Sequence, residues 1–372
     1  MKKMLLLLCS LVGLAAPPAE AEADSPPVRL AVIGLVHGHV GSFIPNALNN
    51  PAVQLVGIVE PDPKLAAHYA EMFQLSTNLF FTSLEALLAH TNVQAAALFT
   101  TTFDHRRVVE ACAPRGVQVM MEKPLAVSLP DGLAMAAAAK KGGVNLIVNY
   151  ETTWYPANAT AYDLVCDKKA IGDVRKIVVH DGHRGPLAIG CPPEFVQWLT
   201  DPKLNGGGAI IDFGCYGADL LTWLMAGQRP TSVFAVTQHF QPELYPQVDD
   251  EATIVLTYPK TQGIIQASWN WPIDRKDMEI YGQTGQVLVP RKNLLRVTKA
   301  DQPEHETKVS ALTGPQADPI SYLAAVVRGE IRPAGLSSLA VNLTVMEILD
   351  AARESAATGK RVDLPAQAPF AP

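Results

Sequence analysis

A parallel, doubly wound α/β unit followed by a mainly antiparallel sheet is the fold class this 372-residue sequence predicts, and three observations carry it. Short apolar runs alternate with helical patterns from residue 28 to residue 150, the order expected of a parallel sheet with crossover helices. The first run leads into a glycine-rich loop, Gly34-Leu35-Val36-His37-Gly38-His39-Val40-Gly41. Beyond Tyr150 the texture becomes strand patterns joined by turn-rich segments, most without an intervening helix, as in an antiparallel sheet.

The length accommodates two domains and a sizeable core. A net charge of −6 and a pI near 5.9 exclude the basic footprint of a nucleic-acid-binding protein. At the N-terminus, Lys2 and Lys3 precede an apolar run over 4–16 and the small residues Ala19, Ala21 and Ala23. That layout predicts a cleavable signal peptide over 1–23, too short to span a bilayer, and hence a periplasmic or secreted protein. Cys112, Cys166, Cys191 and Cys215 show no metal-ligand spacing and are too few for a disulfide scaffold, so buried free thiols are expected.

Residues 29–33 read as a buried strand that opens a Rossmann-type dinucleotide-binding unit over 28–150. The glycine pattern is altered, because Val36 stands at the second glycine position and His39 at the third. Pro45 puts the expected helix start near Ser42, which lengthens the loop and lays Gly34, Val36, His37, Gly38 and His39 along the cofactor. The second strand, 53–59, ends in Glu60, where a carboxylate takes a ribose hydroxyl and favours NAD; Lys64 leaves room for NADP. A helix follows over 63–73, and Thr82 with Glu85 predicts a capping box for the next one. The run 93–99 closes on Thr100, Thr101 and Thr102, whose hydroxyls suit cofactor contacts at a strand end.

The run 116–121 ends in Glu122-Lys123-Pro124. Burying a lysine without compensation is costly, so such a residue is usually paired or working. Proline cannot continue a central strand and restricts its predecessor, which fixes Lys123 at the C-terminal lip where open parallel sheets bind ligands. A helix over 129–141 and a strand over 145–149 complete the unit, with Asn149 a further cofactor candidate.

Strand patterns then recur at 177–180, 232–239, 252–258, 263–271, 278–281 and 286–289, within an α+β substrate and oligomerisation domain spanning 151–333. Leu339, Leu343, Met346 and Leu349 form the stripe of a helix over 338–358 that Gly359 stops and that is expected to pack back on the first unit. Residues 364–372 read as a tail.

Together these residues resemble the Gfo/Idh/MocA family, which includes glucose–fructose oxidoreductase and inositol dehydrogenase. The marks of the resemblance are Glu122-Lys123-Pro124-Leu125-Ala126, the run from Gly206 to Asp219, and Thr100 with His105, where Thr101 and Thr102 replace the family's Pro-Asn. It implies a catalytic group of Lys123, Asp212 and Tyr216, the last replacing the histidine of most members, and places His105 and Glu122 near the cofactor. It also implies that Gly206-Gly207-Gly208 approaches the nicotinamide. Asp212 and Tyr216, four apart, share a face if helical. A nearby ammonium is expected to lower the phenol's pKa, so that Tyr216 exchanges the substrate proton while Lys123 polarises its oxygen; the reverse allocation stays open. Trp154, His180, His183 and Arg184 are substrate candidates, and Trp269 and Trp271 offer further rings for a sugar. No metal is expected, because neither histidine pair has diagnostic spacing.

The resulting expectation is an exported NAD(P)-dependent oxidoreductase acting on a sugar or polyol, with room for a tightly held nicotinamide, and assembled as a homodimer or tetramer. Two alternatives compete: an NAD-dependent glycosidase that oxidises, eliminates and re-reduces, and a non-catalytic ligand-binding protein on the same fold.

Overall fold

The computed structural model describes residues 25–365. The signal peptide over 1–23 and most of the 364–372 tail fall outside the described residues. The first unit runs β1 (Val28–Ile33), α1 (Val40–Asn49), β2 (Val53–Val59), α2 (Pro63–Met72), β3 (Phe80–Phe81) and α3 (Leu84–His90). It continues with β4 (Ala95–Leu98), α4 (His105–Cys112), β5 (Gln118–Glu122), α5 (Leu129–Gly142) and β6 (Leu146–Asn149). All six strands pair in parallel in the order 3-2-1-4-5-6, that of a dinucleotide-binding fold with its switch point between β1 and β4.

Two local expectations are corrected here. Helix α1 starts at Val40, not near Ser42, and carries Pro45 inside it. The cap of α3 is Ser83, whose hydroxyl accepts from the Ala86 N–H at 3.1 Å, one residue later than the expected Thr82 box.

The second unit contributes α6 (Pro156–Tyr162), β7 (Val174–Gly182), α7 (Pro193–Leu199), α8 (Ala209–Asp212) and α9 (Gly214–Leu224). Then come β8 (Ser232–Gln238), β9 (Glu251–Thr257), β10 (Gln262–Ser268), β11 (Arg275–Gly282), β12 (Gly285–Arg291), β13 (Leu294–Lys299) and β14 (His305–Lys308). Helices α10 (Pro319–Val327) and α11 (Leu339–Thr358) precede the short β15 (Val362–Asp363). The nine strands form one sheet, antiparallel except where β10 runs parallel to β7. That parallel pair exists because α7, α8 and α9 fill the crossover from β7, a helical insertion the strand pattern did not suggest.

Helix α11 lies against β8 and α9 of the second sheet and also against α5 and β6 of the first. Polar ties fix it: Tyr150 donates to Asn342 at 3.1 Å, the Leu129 N–H to Asp350 at 2.8 Å, and Arg353 to the Gly206 carbonyl at 2.9 Å. One continuous core therefore runs from Met121, Leu125 and Met135 through Leu343, Met346 and Leu349 to Tyr216 and Ile254. A second core, under α1, is closed by α10 through Ile320 and Leu323. The two units are thus held in register by apolar packing, which sets the lip of β5 against α8 and α9.

Candidate active site

Lys123 follows the last residue of β5 and is 6% exposed, and its ammonium donates to the Asp212 carboxylate and, at 3.0 Å, to the Asp212 carbonyl. The other carboxylate oxygen of Asp212 accepts from the Trp269 indole at 2.9 Å. Burial works against the charge on Lys123, but the Asp212 carboxylate more than offsets it, so the ammonium's pKa is raised. For the same pair of reasons Asp212 is held below the ordinary carboxylate value. A buried ion pair so completely hydrogen-bonded is an expensive feature that removal of either partner would expose.

Tyr216 lies in the first turn of α9, beyond the break at Phe213 that separates it from α8. Two ammoniums stand over its ring, Lys123 Nζ at 5.1 Å and Lys276 Nζ at 5.0 Å from the centroid. The expected lowering of its pKa is nevertheless not found. Burial, followed by the field of Glu151 and other acidic neighbours, pushes the phenol well above its usual value. At neutral pH Tyr216 is a hydrogen-bond donor rather than a base.

These groups line a cavity of about 360 Å³ together with His37, His39, His183, Phe213 and Lys276. His183 accepts from the Gly185 N–H at 2.9 Å through Nδ1, which leaves Nε2 as the protonated nitrogen of the neutral ring. Burial lowers its pKa. Lys276 did not stand out in the sequence, and Trp269 did so only as a ring for a sugar, not as a partner of Asp212: each reaches the site because β10 and β11 flank β7 in the sheet.

On the first unit, a hydrogen-bonded chain crosses the ends of β5 and β6. His39 Nδ1 meets Glu122 at 2.9 Å, Asn149 donates to Glu122 at 2.8 Å, and Trp154 donates to Asn149 at 2.9 Å. Glu122 is 2% exposed; burial opposes its charge, but His39 and the hydrogen bonds bring its pKa down to about 2. The ligand atoms of His37, His39 and Glu122 lie within 4.8 Å of one another, as do those of His180, Asp277 and Glu279. His180 Nδ1 is itself bonded to Asp277 at 3.0 Å.

Several expected contacts resolve differently. His105 is buried and bonds the Leu125 carbonyl at 3.1 Å through Nδ1, and burial lowers its pKa to about 4, so it braces the turn after Lys123 from beneath. Thr100 donates to the Thr101 carbonyl and Thr101 to Asp104, within the local turn, while Thr102 donates across to Asn205 of the second unit. His180 and Arg184 do not line the cavity that holds Lys123. Trp269 is fully buried beneath Asp212 and offers no face to a ligand, and Trp271 packs against Arg275. The glycine run approaches other backbone: a Cβ on Gly208 would collide with the Asp249 carbonyl, and Gly206, at φ +94°, faces the Val127 carbonyl.

The first unit fits a dinucleotide at three points. Gly34 has φ +82° and lies so close to β4 that a Cβ would sit 2.7 Å from Thr100 Cγ2, a contact only glycine allows. Helix α1 begins without a side-chain cap; the Val40 and Ser42 N–H groups donate to the His37 and His39 carbonyls at 3.0 and 3.1 Å, which leaves the Gly41 N–H for an anion. Glu60 ends β2, where its carboxylate accepts from the N–H groups of Leu35 and Asp62, both at 2.9 Å, and shapes the loop. Helix α7 frames this loop from the other unit: Trp198 donates to the Val36 carbonyl at 3.1 Å, and Phe195 packs on His37 and Gly38.

Comparison with known proteins agrees with this architecture. Residues 28–150 match the family model described as an oxidoreductase family with an NAD-binding Rossmann fold, GFO/IDH/MocA. Residues 160–288 match the GFO/IDH/MocA C-terminal domain. Over 220 residues the chain is 27% identical to trans-1,2-dihydrobenzene-1,2-diol dehydrogenase of Sus scrofa, covering 59% of this chain and 60% of that protein. It is 29% identical over 196 residues to 1,5-anhydro-D-fructose reductase of Ensifer adhaerens, covering 52% and 56%. Each match thus spans less than two thirds of the relative's length. The crystal structure of aldose-aldose oxidoreductase from Caulobacter crescentus complexed with glycerol superimposes with a TM-score of 0.77 at 22% identity, over 91% of this chain and all of that one.

Proposed function

The chain belongs to the Gfo/Idh/MocA family of NAD-binding oxidoreductases, and from that premise we propose that it moves a hydride between a nicotinamide and a carbinol carbon of a sugar or polyol. The observation that carries the reading is the Lys123–Asp212 pair, buried at the junction of the two units where the C-terminal edge of the parallel sheet meets a cavity. The relatives support the reaction class, being by name a dehydrogenase, a reductase and an aldose oxidoreductase.

The nicotinamide, when bound, supplies the hydride acceptor or donor. The chain's own groups handle the oxygen. In the reduction direction Lys123 gives a proton to the substrate oxygen, its ammonium being sustained by Asp212 at the cavity wall, and in oxidation the neutral amine takes that proton back. Tyr216 donates a second hydrogen bond and keeps its own proton. Asp212 orients Lys123 and is itself fixed by Trp269. This exchanges the roles first expected for Tyr216 and Lys123, and the reason is burial of the phenol.

The N-terminal pattern of Lys2, Lys3 and the apolar run adds export to the proposal, with a nicotinamide that stays bound through the catalytic cycle. The test is to purify the protein, record the absorbance of bound nucleotide, and offer sugars, polyols and aryl glycosides with and without added NAD. Reduced nucleotide formed with a sugar or polyol supports the reading. Aglycone release without net reduction would transfer it to the glycosidase alternative, and bound nucleotide that no substrate reduces would refute it.

A further inference from the structure

Beside the catalytic cavity lies a second one of about 370 Å³, which shares His183 and Lys276 with it. Four cations line this space, Arg275, Lys276, Arg291 and Lys292, against two carboxylates, Glu151 and Asp274. The excess is local, since the chain as a whole carries more acidic than basic residues. Two of the cations are already neutralised, Lys276 by Glu151 and Arg275 by Asp277 at 2.7 Å. Arg291 and Lys292 have no carboxylate within ion-pair distance among the described residues.

Their positions are built into the fold. Both lie at the β12–β13 turn, and the Ala157 N–H of α6 donates to the Lys292 carbonyl at 3.1 Å, docking that turn on the helix. The Lys292 ammonium also stands 5.7 Å from the Tyr155 ring centroid, and Tyr155 in turn donates to Glu151 at 2.6 Å. The wall from Lys123 through Tyr216 and Lys276 to Lys292 is therefore continuous, with its unneutralised charge at the far end.

We propose that the substrate carries an anionic group, a carboxylate or a phosphate ester, seated by Arg291 and Lys292, while its reacting carbon lies at Lys123. This rests on the reading that the chain transfers hydride on a sugar or polyol, and it names the class of that substrate. Lys276 lies between the two ends, beside both the reacting oxygen and the anion.

The experiment uses the full protein with its nucleotide and compares three probes: glucose, glucuronate and glucose 6-phosphate. Binding is measured by calorimetry and hydride transfer by nicotinamide fluorescence, in the native protein and in the double variant Arg291→Ala/Lys292→Ala. At least one anionic probe is expected to bind more tightly than glucose by about tenfold, the sum of two exposed charge pairs at the upper end of their usual contribution. In the double variant that ratio is expected to fall towards one, and added salt to lower it in the native protein. Equal affinity for glucose and both anions, or a ratio the double variant leaves unchanged, would overturn the proposal. Binding of an anion without hydride transfer from any probe would leave the anion site standing and count against the oxidoreductase reading alone. Retained nucleotide absorbance in the variant establishes that it is folded.

Discussion

Lys123 and Tyr216 show how burial, rather than residue type, assigns roles. Both face the cavity and both have raised pKa values, but Lys123 gains a carboxylate and Tyr216 gains only acidic neighbours at a distance. For the reduction direction, kcat/KM is expected to stay level in any phase due to Lys123 across neutral pH and to fall only above the ordinary lysine range, where the ammonium finally deprotonates. An inflection tracking Lys123 below pH 9 would contradict the pairing with Asp212. Tyr216→Phe is expected to lower kcat by about 10²-fold without abolishing it, the cost of one hydrogen-bond donor to a charged transition state. A complete loss in steady-state assays, with nucleotide still bound, would return the proton to the phenol. Lys123 was legible in the sequence because a lysine before proline at a strand end has few uses. The direction of the Tyr216 shift was not, because it depends on how deeply α9 is buried and on Glu151, a residue far away in the chain.

At the scale of elements, the glycines of the 206–208 run belong to backbone packing. Gly208 has no room for a Cβ against the Asp249 carbonyl, while Asp249 itself accepts from the N–H groups of Gly208 at 3.0 Å and Ile210 at 2.7 Å. Gly208→Ala is therefore expected to destabilise the protein by about 2–4 kcal/mol, within the range of overpacking and backbone clashes, and to lower the thermal midpoint in circular dichroism. An unchanged midpoint would show that the loop at Asp249 yields. The β-α alternation of the first unit was readable from local periodicity alone. Helices α6, α7 and α10 were not, because α10 is apolar on most sides and α7 is a short proline-led turn of helix whose aromatic residues only acquire meaning against the Val36–Gly38 loop.

At the scale of the whole molecule, two pairs of buried carboxyl groups shift in opposite directions. Glu122 and Asp212 are paired and depressed, so they contribute stability that is present above the unfolded carboxyl value and lost as pH falls through their folded values, for Glu122 about 2. Asp181 and Asp219 are fully buried, none of their carboxylate oxygens has a hydrogen-bond partner, and burial raises both far above the usual value. Their sign is opposite: the folded state retains protons that the unfolded state releases, so they cost stability as pH rises above the unfolded value. Asp219→Asn keeps the shape and removes that cost, and is expected to raise the thermal midpoint at pH 8 more than at pH 5. An equal shift at both pH values would show that Asp219 does not titrate on unfolding. The continuous core through α11 makes these effects global, because the two units share it.

In the proposed mechanism hydride transfer depends on the Lys123–Asp212 pair at the junction of the units. Its most direct measurement is single-turnover nicotinamide absorbance in the native protein and in Lys123→Met, each with its nucleotide content determined beforehand. Full nucleotide content is expected in both, with a loss of rate of about 10³-fold or more in the variant. A variant that retains the native rate, with the same substrate and the same bound nucleotide, would contradict it.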